Sequence, residues 1–216
     1  MNMAWKEIIK NKSRFVILGS IVFLVSFLTL IISGLANGLS QDNAALIKDM
    51  PEGTFYMETS ADETYNMSKI DVDLANKIMD ENKGATALSI QMGFMENANE
   101  DQVSVAFATA SNDFVFPEVK NGEVILDESV KDKGIKVGDV LSNSQLSKDL
   151  TVTGFVEQEK FSHAPVAFIN EENYQEMYRT EEMQMLFIPE KEAISISGLQ
   201  ALSNKEFLST IPSYNA

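Results

Sequence analysis

Residues 15–35 read FVILGSIVFLVSFLTLIISGL, a run of twenty-one residues without a charged side chain. A helix of this length rises about 31 Å, which matches the hydrocarbon core of a bilayer. A single segment in lipid can satisfy its backbone polar groups internally only as a helix. The stretch therefore predicts a transmembrane helix, and the rest of the chain is arranged around it.

The residues on either side of this stretch indicate its orientation. Residues 1–14 contain one acidic side chain and four basic ones, Lys6, Lys10, Lys12 and Arg14. Basic residues beside a span stay on the cytoplasmic side of the membrane. We therefore expect a cytoplasmic N-terminus over residues 1–14, and we expect the bulk of the chain, after Leu35, to be extracellular.

Charge outside the span restricts the partners of the chain. The formal net charge is −15, and because residues 1–14 carry +3, the remaining residues carry −18. An outer region this acidic should repel nucleic acid and anionic lipid head groups. We expect no nucleic acid partner, and we expect the contact with the bilayer to be made by the span itself.

Two other structures compete for the apolar run. A buried core helix is disfavoured because core helices are usually shorter than a bilayer-spanning segment. A cleavable signal peptide has some support, since Gly34-Leu35-Ala36 resembles a small-x-small cleavage site. Its apolar region should however contain only about 7–15 residues. We therefore expect an uncleaved anchor in the cell membrane, with residues 15–35 as the transmembrane helix.

A helical pattern continues beyond the span and predicts a stalk helix over residues 36–50. Apolar residues at 35, 39, 46 and 50 fall near one stripe, and Pro51 ends the pattern. Gly34 and Gly38 form a small-xxx-small pair, which allows a second helix to approach closely. We predict that these two glycines lie at a helix-packing interface.

Helix and strand patterns alternate through the remaining residues and predict an α+β fold. We expect an α+β extracellular lobe formed by residues 51–116 and 170–216, with an inserted β subdomain, small and barrel-like, over residues 117–169. Apolar residues alternate with polar ones over residues 88–94 and 103–107, which predicts a hairpin. Two helix starts carry capping-box patterns, Ser68 to Asp71 and Ser203 to Glu206.

The residues needed for catalysis and metal binding are scarce. The chain has no cysteine and a single histidine, so thiolate nucleophiles, disulfides and histidine-pair metal sites are excluded. Gly-Lys does not occur, so a Walker A loop is absent. Adjacent acids such as Glu171-Glu172 are typical of a solvated surface. We predict no catalytic residue, no metal site and no resident cofactor.

Three residues could bind a soft or haem-like ligand. His163 precedes an apolar run, and Met183 and Met185 follow it in the sequence. Imidazole and thioether groups are both axial ligands of haem iron. These three are candidate contacts of haem or another substrate. The alternative is that His163 forms a local hydrogen bond and that both methionines face a core.

The order of these patterns resembles one family of membrane proteins. The segments VILDESVKDKGIKVGDVL at 124–141 and LTVTGFVEQEKFSHAPVAFI at 150–169 are similar to MacB/FtsX-type ABC transporter permeases. The N-terminal AWKEIIKNKSRFVILGSIVFLVSFLTLIISGLANGL resembles the hemin transport branch of that family in Gram-positive bacteria. The resemblance implies a MacB-like periplasmic core domain and a structural turn at Gly138 and Asp139.

The resemblance also implies a function and partners. Permeases of this kind pair as homodimers and bind cytoplasmic ATPase subunits, which hydrolyse ATP and move the outer domains mechanically. The implied function is efflux of haem or another toxic amphipathic compound, with haem as substrate. Such permeases have four spans, and this sequence has one, so we expect a fragment. The alternatives are a single-span extracellular ligand-binding or accessory protein, and an anchored hydrolase that depends on His163.

Overall fold

A computed structural model describes residues 9–42, 44–211 and 214, and within these ranges it leaves the side chains of residues 37 and 39–42 undescribed. Two compact units make up the chain, and they divide between Ser40 and Gln41. The predicted cytoplasmic segment 1–14 lies mostly outside the described residues.

The first unit is formed by helix α1, Lys12–Asp42. Its residues Lys12–Ala36 are long and apolar enough to cross a membrane, and none of that stretch is buried within the protein. Its large apolar side chains are exposed, as at Leu30, where the exposed fraction is 71%. A helix that is apolar on all faces requires an apolar environment, so the candidate transmembrane helix predicted over residues 15–35 is present.

The second unit, which starts at Gln41, is called the outer unit below. Its first complete helix, α2, Ala45–Lys48, is short, and Leu46 and Ile47 in it are buried. Helix α1 ends before it, at Asp42. The stalk predicted over residues 36–50 thus contains parts of two helices, and its boundaries stay a prediction.

In the described part of the outer unit, strands and helices alternate. The strands are β1 Thr54–Glu58, β2 Thr86–Glu96, β3 Gln102–Ala110, β4 Glu123–Asp127, β5 Val140–Leu141, β6 Leu150–Val156, β7 Lys160–Phe161, β8 Ala164–Ile169, β9 Met185–Ile188 and β10 Leu199–Ser203. The remaining helices are α3 Val72–Glu81, α4 Glu171–Tyr178 and α5 Asn204–Thr210, with 3₁₀ turns at Thr59–Ala61, Tyr65–Met67 and Glu128–Lys133. The predicted α+β class is confirmed.

One continuous sheet connects these strands in the order β10-β1-β9-β2-β3-β8-β4-β6-β5, with β7 paired to β8. Most neighbours are antiparallel, and the pairs β3–β8 and β4–β6 are parallel. The predicted hairpin is confirmed as β2–β3, which pairs from Leu88 opposite Ala110 to Glu96 opposite Gln102.

The far end of this sheet curls into a barrel-like arrangement. Glu96, at the end of β2, forms an isolated bridge with Ser142, which directly follows β5. Strands β2, β3, β8, β4, β6 and β5 therefore form a closed circuit, and it surrounds a buried cluster that includes Phe107, Leu126 and Val152. The barrel takes β2 and β3 from outside residues 117–169, and the domain boundaries proposed from the sequence stay a prediction.

A second core lies at the other end of the sheet. Phe55 of β1 stacks on Phe207 of α5 with ring centroids 4.4 Å apart, and Phe187 of β9 packs 5.1 Å from Phe55. All three rings are fully buried. Aromatic burial of this size contributes strongly to stability, and it joins α5 to the β1–β9 part of the sheet.

The two predicted capping boxes can be compared with the N-terminal ends of helices α3 and α5. Ser203 and Glu206 form the predicted capping box at α5. The box predicted at Ser68 to Asp71 is wrong: Asp71 caps α3 by accepting hydrogen bonds from the N–H groups of Asp73 and Leu74. Ser68 instead accepts a 2.9 Å hydrogen bond from the N–H of Glu58, because a buried neighbouring strand supplies a better partner than the helix.

The first and last described segments of the outer unit lie side by side. β1 pairs antiparallel with β10, and α2 contacts α5. The Lys48 Nζ lies 4.9 Å from the centre of the Tyr214 ring. The chain thus enters and leaves this unit on one face, which is called the chain-end face below.

Candidate functional site

The glycines predicted to pack helices both lie in α1. A Cβ added to Gly34 or Gly38 would meet nothing within 4 Å. The same holds for Gly19, nearer the start of the helix. Each position is therefore open to close approach by another helix, and the interface itself stays a prediction.

The predicted structural turn lies between the 3₁₀ turn and β5. Gly138 has φ of +93°, in the left-handed region that favours glycine. The Asp139 carboxylate accepts a 2.8 Å hydrogen bond from the N–H of Lys136, and the N–H of Gly138 donates to the Val152 carbonyl at 2.8 Å. The second of these bonds attaches the turn to β6, and the structural role of the two residues stays a prediction.

His163 lies in the two-residue turn between β7 and β8. Ser162 and His163 have φ of +49° and +68°, both in the left-handed region. Two consecutive positive φ values are characteristic of the tight hairpin turns that match strand twist. His163 is exposed there, so its side chain is accessible to a ligand.

Both candidate methionines are buried, and they lie in different cores. Met185 belongs to the core around Phe55, whereas Met183 belongs to the core beneath α3. The Ser89 hydroxyl donates a hydrogen bond to the Met183 sulfur over 3.6 Å. The three candidate contacts thus occupy three environments rather than one cluster, and their role in binding stays a prediction.

Three carboxyl groups that are distant in sequence approach one another near β7. Burial first, and then the neighbouring charges of Asp49 and Asp127, raise the pKa of the half-buried Glu159 to about 7. Asp127 is 1% exposed and accepts hydrogen bonds from the N–H groups of Ser129, at 3.0 Å, and Glu159, at 2.7 Å. The Glu159 Oε2 atom has no hydrogen-bond partner among the described residues.

Sequence patterns give no signal for this carboxyl cluster, because its members come from the residue after α2, the end of β4 and the turn before β7. Across the described residues, no group of three or more potential ligands has the geometry to hold a metal ion. The cluster is therefore an electrostatic feature of the fold. One of its members, Glu159, gains a proton near neutral pH.

A cavity of about 380 Å³ lies where β3 and β8 end and α4 begins. It is called the β3–α4 cavity below. Its walls combine backbone, apolar and acidic groups, including Thr109, Phe116, Asn170 and Glu171. Burial raises the pKa of the Glu171 carboxyl. A hydrogen bond from the Gln175 side chain lowers this pKa, but by less than burial raises it. This volume is at the small end of the range for ligand pockets, about 300–1,000 Å³.

Comparison of the sequence with known proteins identifies similar membrane proteins. No family model matches the chain. The "Putative hemin transport system permease protein HrtB" of Staphylococcus haemolyticus is 25% identical over 234 residues, a match that covers 100% of this chain. The protein of the same name from Staphylococcus epidermidis is 25% identical over 233 residues. The predicted resemblance is confirmed. The chain spans 64% of the length of each relative.

The fold of the outer unit also has a known counterpart. The periplasmic region of MacB from Actinobacillus actinomycetemcomitans superposes with a TM-score of 0.54 at 10% sequence identity. The match covers 76% of this chain and 95% of that one. A match at this low sequence identity gives information about the fold alone. The superposition confirms a MacB-like arrangement of strands and helices in the outer unit.

Proposed function

We propose that the chain is the N-terminal part of the permease subunit of an ABC exporter, and that the exporter removes haem or another toxic amphipathic compound from the cell. The observation that carries the proposal is the similarity to hemin transport permease proteins over 100% of the chain, apolar helix and outer unit together. A protein that shared only the outer fold would not match through the span.

The chain-end face supports the same proposal. In a permease whose outer domain is inserted between two spans, the chain must leave the domain near the point where it entered. Pairing of β1 with β10 and contact of α2 with α5 meet that requirement. Displacement of the membrane helices would then be transmitted directly to β1 and β10.

Orientation and energy supply follow from the proposal. The basic segment 1–14 lies in the cytoplasm, and the outer unit lies outside the cell. The sequence contains no Walker A loop, so a separate cytoplasmic ATPase subunit hydrolyses ATP. Its closure moves the helices, and the helices move the outer units. The chain itself is not an enzyme.

The first test is genetic. The DNA that follows codon 216 should encode three further hydrophobic segments, next to an ATPase gene. Deletion of both genes should make cells sensitive to hemin, and restoring them together should reverse the effect. Hemin resistance unchanged by the deletion, with sensitivity to another amphipathic compound, would exclude haem and keep the exporter. A stop codon at 217 without an ATPase neighbour would count against the permease itself.

Orientation can be measured because the chain has no cysteine. Single substitutions Asn11→Cys and Ser144→Cys place a thiol before the span and on the exposed surface of the outer unit. A membrane-impermeant maleimide should label only the Ser144→Cys variant in intact cells. Labelling of the Asn11→Cys variant alone would reverse the proposed orientation.

Pairing of two permeases through Gly34 and Gly38 is also part of the proposal. Replacement of both glycines by leucine should weaken cross-linked dimer formation in membranes, because the added side chains prevent close helix approach. Gly19→Leu is the matched control, since Gly19 is equally open on the same helix. Equal dimer yield in all variants would remove the glycine pair from the interface.

Haem contact by His163, Met183 and Met185 is tested by hemin titration of the complete permease. Loss of a Soret shift in His163→Ala would support a haem ligand in the β7–β8 turn. Met183→Leu and Met185→Leu keep apolar volume in each core and remove the thioether. An unchanged spectrum in all three variants would eliminate these residues as ligands.

A further inference from the structure

The segment that borders the β3–α4 cavity continues into a tight turn over residues 120–123. The Lys120 carbonyl accepts a 3.0 Å hydrogen bond from the N–H of Glu123, and Gly122 has φ of +81°. Asn121 is exposed in this turn. An asparagine followed by glycine is chemically labile, because glycine has no Cβ to hinder attack on the asparagine side chain by the next backbone nitrogen. The turn therefore places a reactive pair at the surface of the outer unit.

Deamidation of such a pair is an intramolecular reaction followed by hydrolysis. The Gly122 backbone nitrogen attacks the Asn121 Cγ atom, and the new C–N bond closes a five-membered succinimide ring. The bond from Cγ to Nδ2 breaks, and Nδ2 leaves as ammonia with the proton from the Gly122 nitrogen. Water then opens the ring at either carbonyl and leaves aspartate or isoaspartate at position 121. The reaction consumes only water, and it converts a neutral side chain to a carboxylate.

Asn173, in the first turn of α4, holds both reacting groups. It is 3% exposed; its Oδ1 atom accepts a 2.9 Å hydrogen bond from the N–H of Gly122, and its Nδ2 atom donates a 3.0 Å hydrogen bond to Asn121 Oδ1. One planar carboxamide makes both bonds, so the Asn121 side chain and the Gly122 peptide cannot turn toward each other without breaking one of them. Because ring closure requires aligned reacting atoms, this pair of bonds, called the Asn173 clamp below, opposes it.

The Asn173 clamp depends on the position of α4. Asn121 Nδ2 donates a hydrogen bond to the Glu172 carboxylate, so consecutive residues at the start of this helix contact both ends of the Asn121 carboxamide. Asn170, the cap of α4, donates from its Nδ2 atom to the Val119 carbonyl at 3.2 Å. The segment 119–122 is thus attached to the start of α4, and separation of α4 from it would release the clamp.

Deamidation would weaken that attachment. A carboxylate at position 121 has no hydrogen to donate to Glu172, and two carboxylates in this contact repel each other. Isoaspartate also adds one methylene to the backbone before Gly122, whose carbonyl accepts a 2.9 Å hydrogen bond from the N–H of Thr151 in β6. The parallel pairing of β4 with β6 begins here, with Glu123 opposite Thr151. Reaction at one side chain therefore loosens contacts with both α4 and β6.

We propose that Asn121 is a site of spontaneous deamidation, and that the Asn173 clamp keeps the reaction slow while α4 stays attached. Each separation of α4 from the segment 119–122 exposes the reactive pair, and the product then favours further separation. The modification is therefore cumulative, and it adds negative charge to a unit that is already acidic. The site belongs to the outer unit alone, so the proposal does not depend on the permease function.

The test measures deamidation by peptide mass spectrometry. The full chain in uncharged detergent is incubated at mildly alkaline pH and digested at acidic pH, and the peptide that contains Asn121 is followed for the gain of one mass unit. A synthetic peptide covering residues 117–126 gives the rate without the clamp. We expect the folded chain to react at least about tenfold more slowly than this peptide, because hydrogen bonds to Asn173 must break first.

Variants then assign the protection to the Asn173 clamp. Asn173→Ala removes both bonds and should raise the rate at Asn121 about tenfold. Asn143→Ala is the matched control, because Asn143 is also buried, at 8% exposure, and its side chain forms hydrogen bonds in a different turn; the rate should not change. Glu172→Ala, at an exposed position, removes the other partner of Asn121 and should raise the rate by a smaller factor, about threefold. Thermal unfolding of each variant verifies that it is folded.

Each outcome decides the question. Slow reaction in the folded chain that is accelerated by Asn173→Ala and unchanged by Asn143→Ala supports the proposal. A folded chain that reacts as fast as the peptide overturns it, and so does equal acceleration by both variants, since general loss of stability would explain that result. Absence of reaction at Asn121 in Asn173→Ala, while the peptide reacts, removes the site altogether. If Asn173→Ala fails to fold, a rate unchanged by Glu172→Ala overturns the proposal, and a raised rate supports it.

Discussion

The two ends of the ten-strand sheet are held together differently. At the chain-end face, stacked rings of Phe55 and Phe207 and close backbone approach at Gly53 join β1, β9 and α5. At the barrel end, short strands are connected by tight turns such as that at Gly138. One carboxyl, Glu159, lies where the two ends meet, between Asp127 at the end of β4 and Asp49 after α2, and burial opposes its ionisation. Large apolar contacts dominate the first end and tight turns the second. Stability should therefore respond to side-chain volume at the first end, to backbone conformation at the second, and to pH at the junction between them.

The largest effect is expected at the aromatic stack. Phe207→Ala should lower the free energy of unfolding of the outer unit by about 3–5 kcal/mol, because the ring is fully buried and leaves a cavity. Near-ultraviolet circular dichroism of the full chain in detergent, followed against temperature, measures the change. Phe155→Ala at the barrel end should cost less than half as much, since that ring is only half-buried. Equal losses would erase the difference between the two ends.

Gly53→Ala should have the next largest effect. A Cβ at Gly53 would lie 2.4 Å from the Ile188 carbonyl oxygen, and backbone cannot move aside cheaply. We expect a loss of about 2–3 kcal/mol from overpacking. The barrel offers a matched control: a Cβ at Gly154 meets its nearest atom at 3.9 Å, so Gly154→Ala should be close to neutral in the same melting experiment.

The charge of Glu159, where the two ends meet, predicts an effect of opposite sign. The pKa of Glu159 is about 7 in the folded chain and 4.5 as its ordinary value, so ionisation destabilises the fold. That loss grows as the pH rises from 4.5 to 7 and is complete above 7. Glu159→Gln should therefore stabilise the outer unit at pH 8 by about 1–2 kcal/mol, after allowing for solvent screening, and should change little at pH 4. The exposed Glu157→Gln is the control; a gain of the same size there would point to net charge rather than burial.

The smallest effect is expected at the barrel turn. Gly138→Ala forces a side chain into the left-handed region and should cost about 1 kcal/mol. Lys136→Ala, in the same turn, keeps the backbone N–H that donates to Asp139 and should be neutral. A cost above that of Gly53→Ala would show that the turn, and not the chain-end face, limits stability.

Local patterns in the sequence predicted much of this fold. The transmembrane-length run, the β2–β3 hairpin and the Ser203 capping box each depend on neighbours within a few residues. The predicted cap of α3 is wrong because the Ser68 hydroxyl accepts a hydrogen bond from the N–H of Glu58, at the end of the preceding strand β1. Tertiary partners of this kind leave no periodic signal.

The sites were harder to predict than the elements. The Asp49, Asp127 and Glu159 carboxyls come together only through folding. Met183 and Met185 are only two residues apart, but β9 begins at Met185 and leaves Met183 outside the strand, and the two side chains lie in different cores. A local pattern assigns a residue to an element, whereas a pocket depends on which elements meet.

Strand β2 pairs with β9 near its start and bridges to Ser142 at its end. At about 3.4 Å per residue, its eleven residues extend about 37 Å. One unbroken backbone thus contributes side chains to the core around Phe55 and to the core of the barrel. If either core becomes disordered, the hydrogen bonds of β2 to its neighbouring strands are disturbed, and the other core depends on the same strand. The outer unit should consequently melt in a single cooperative transition, as one mechanical body.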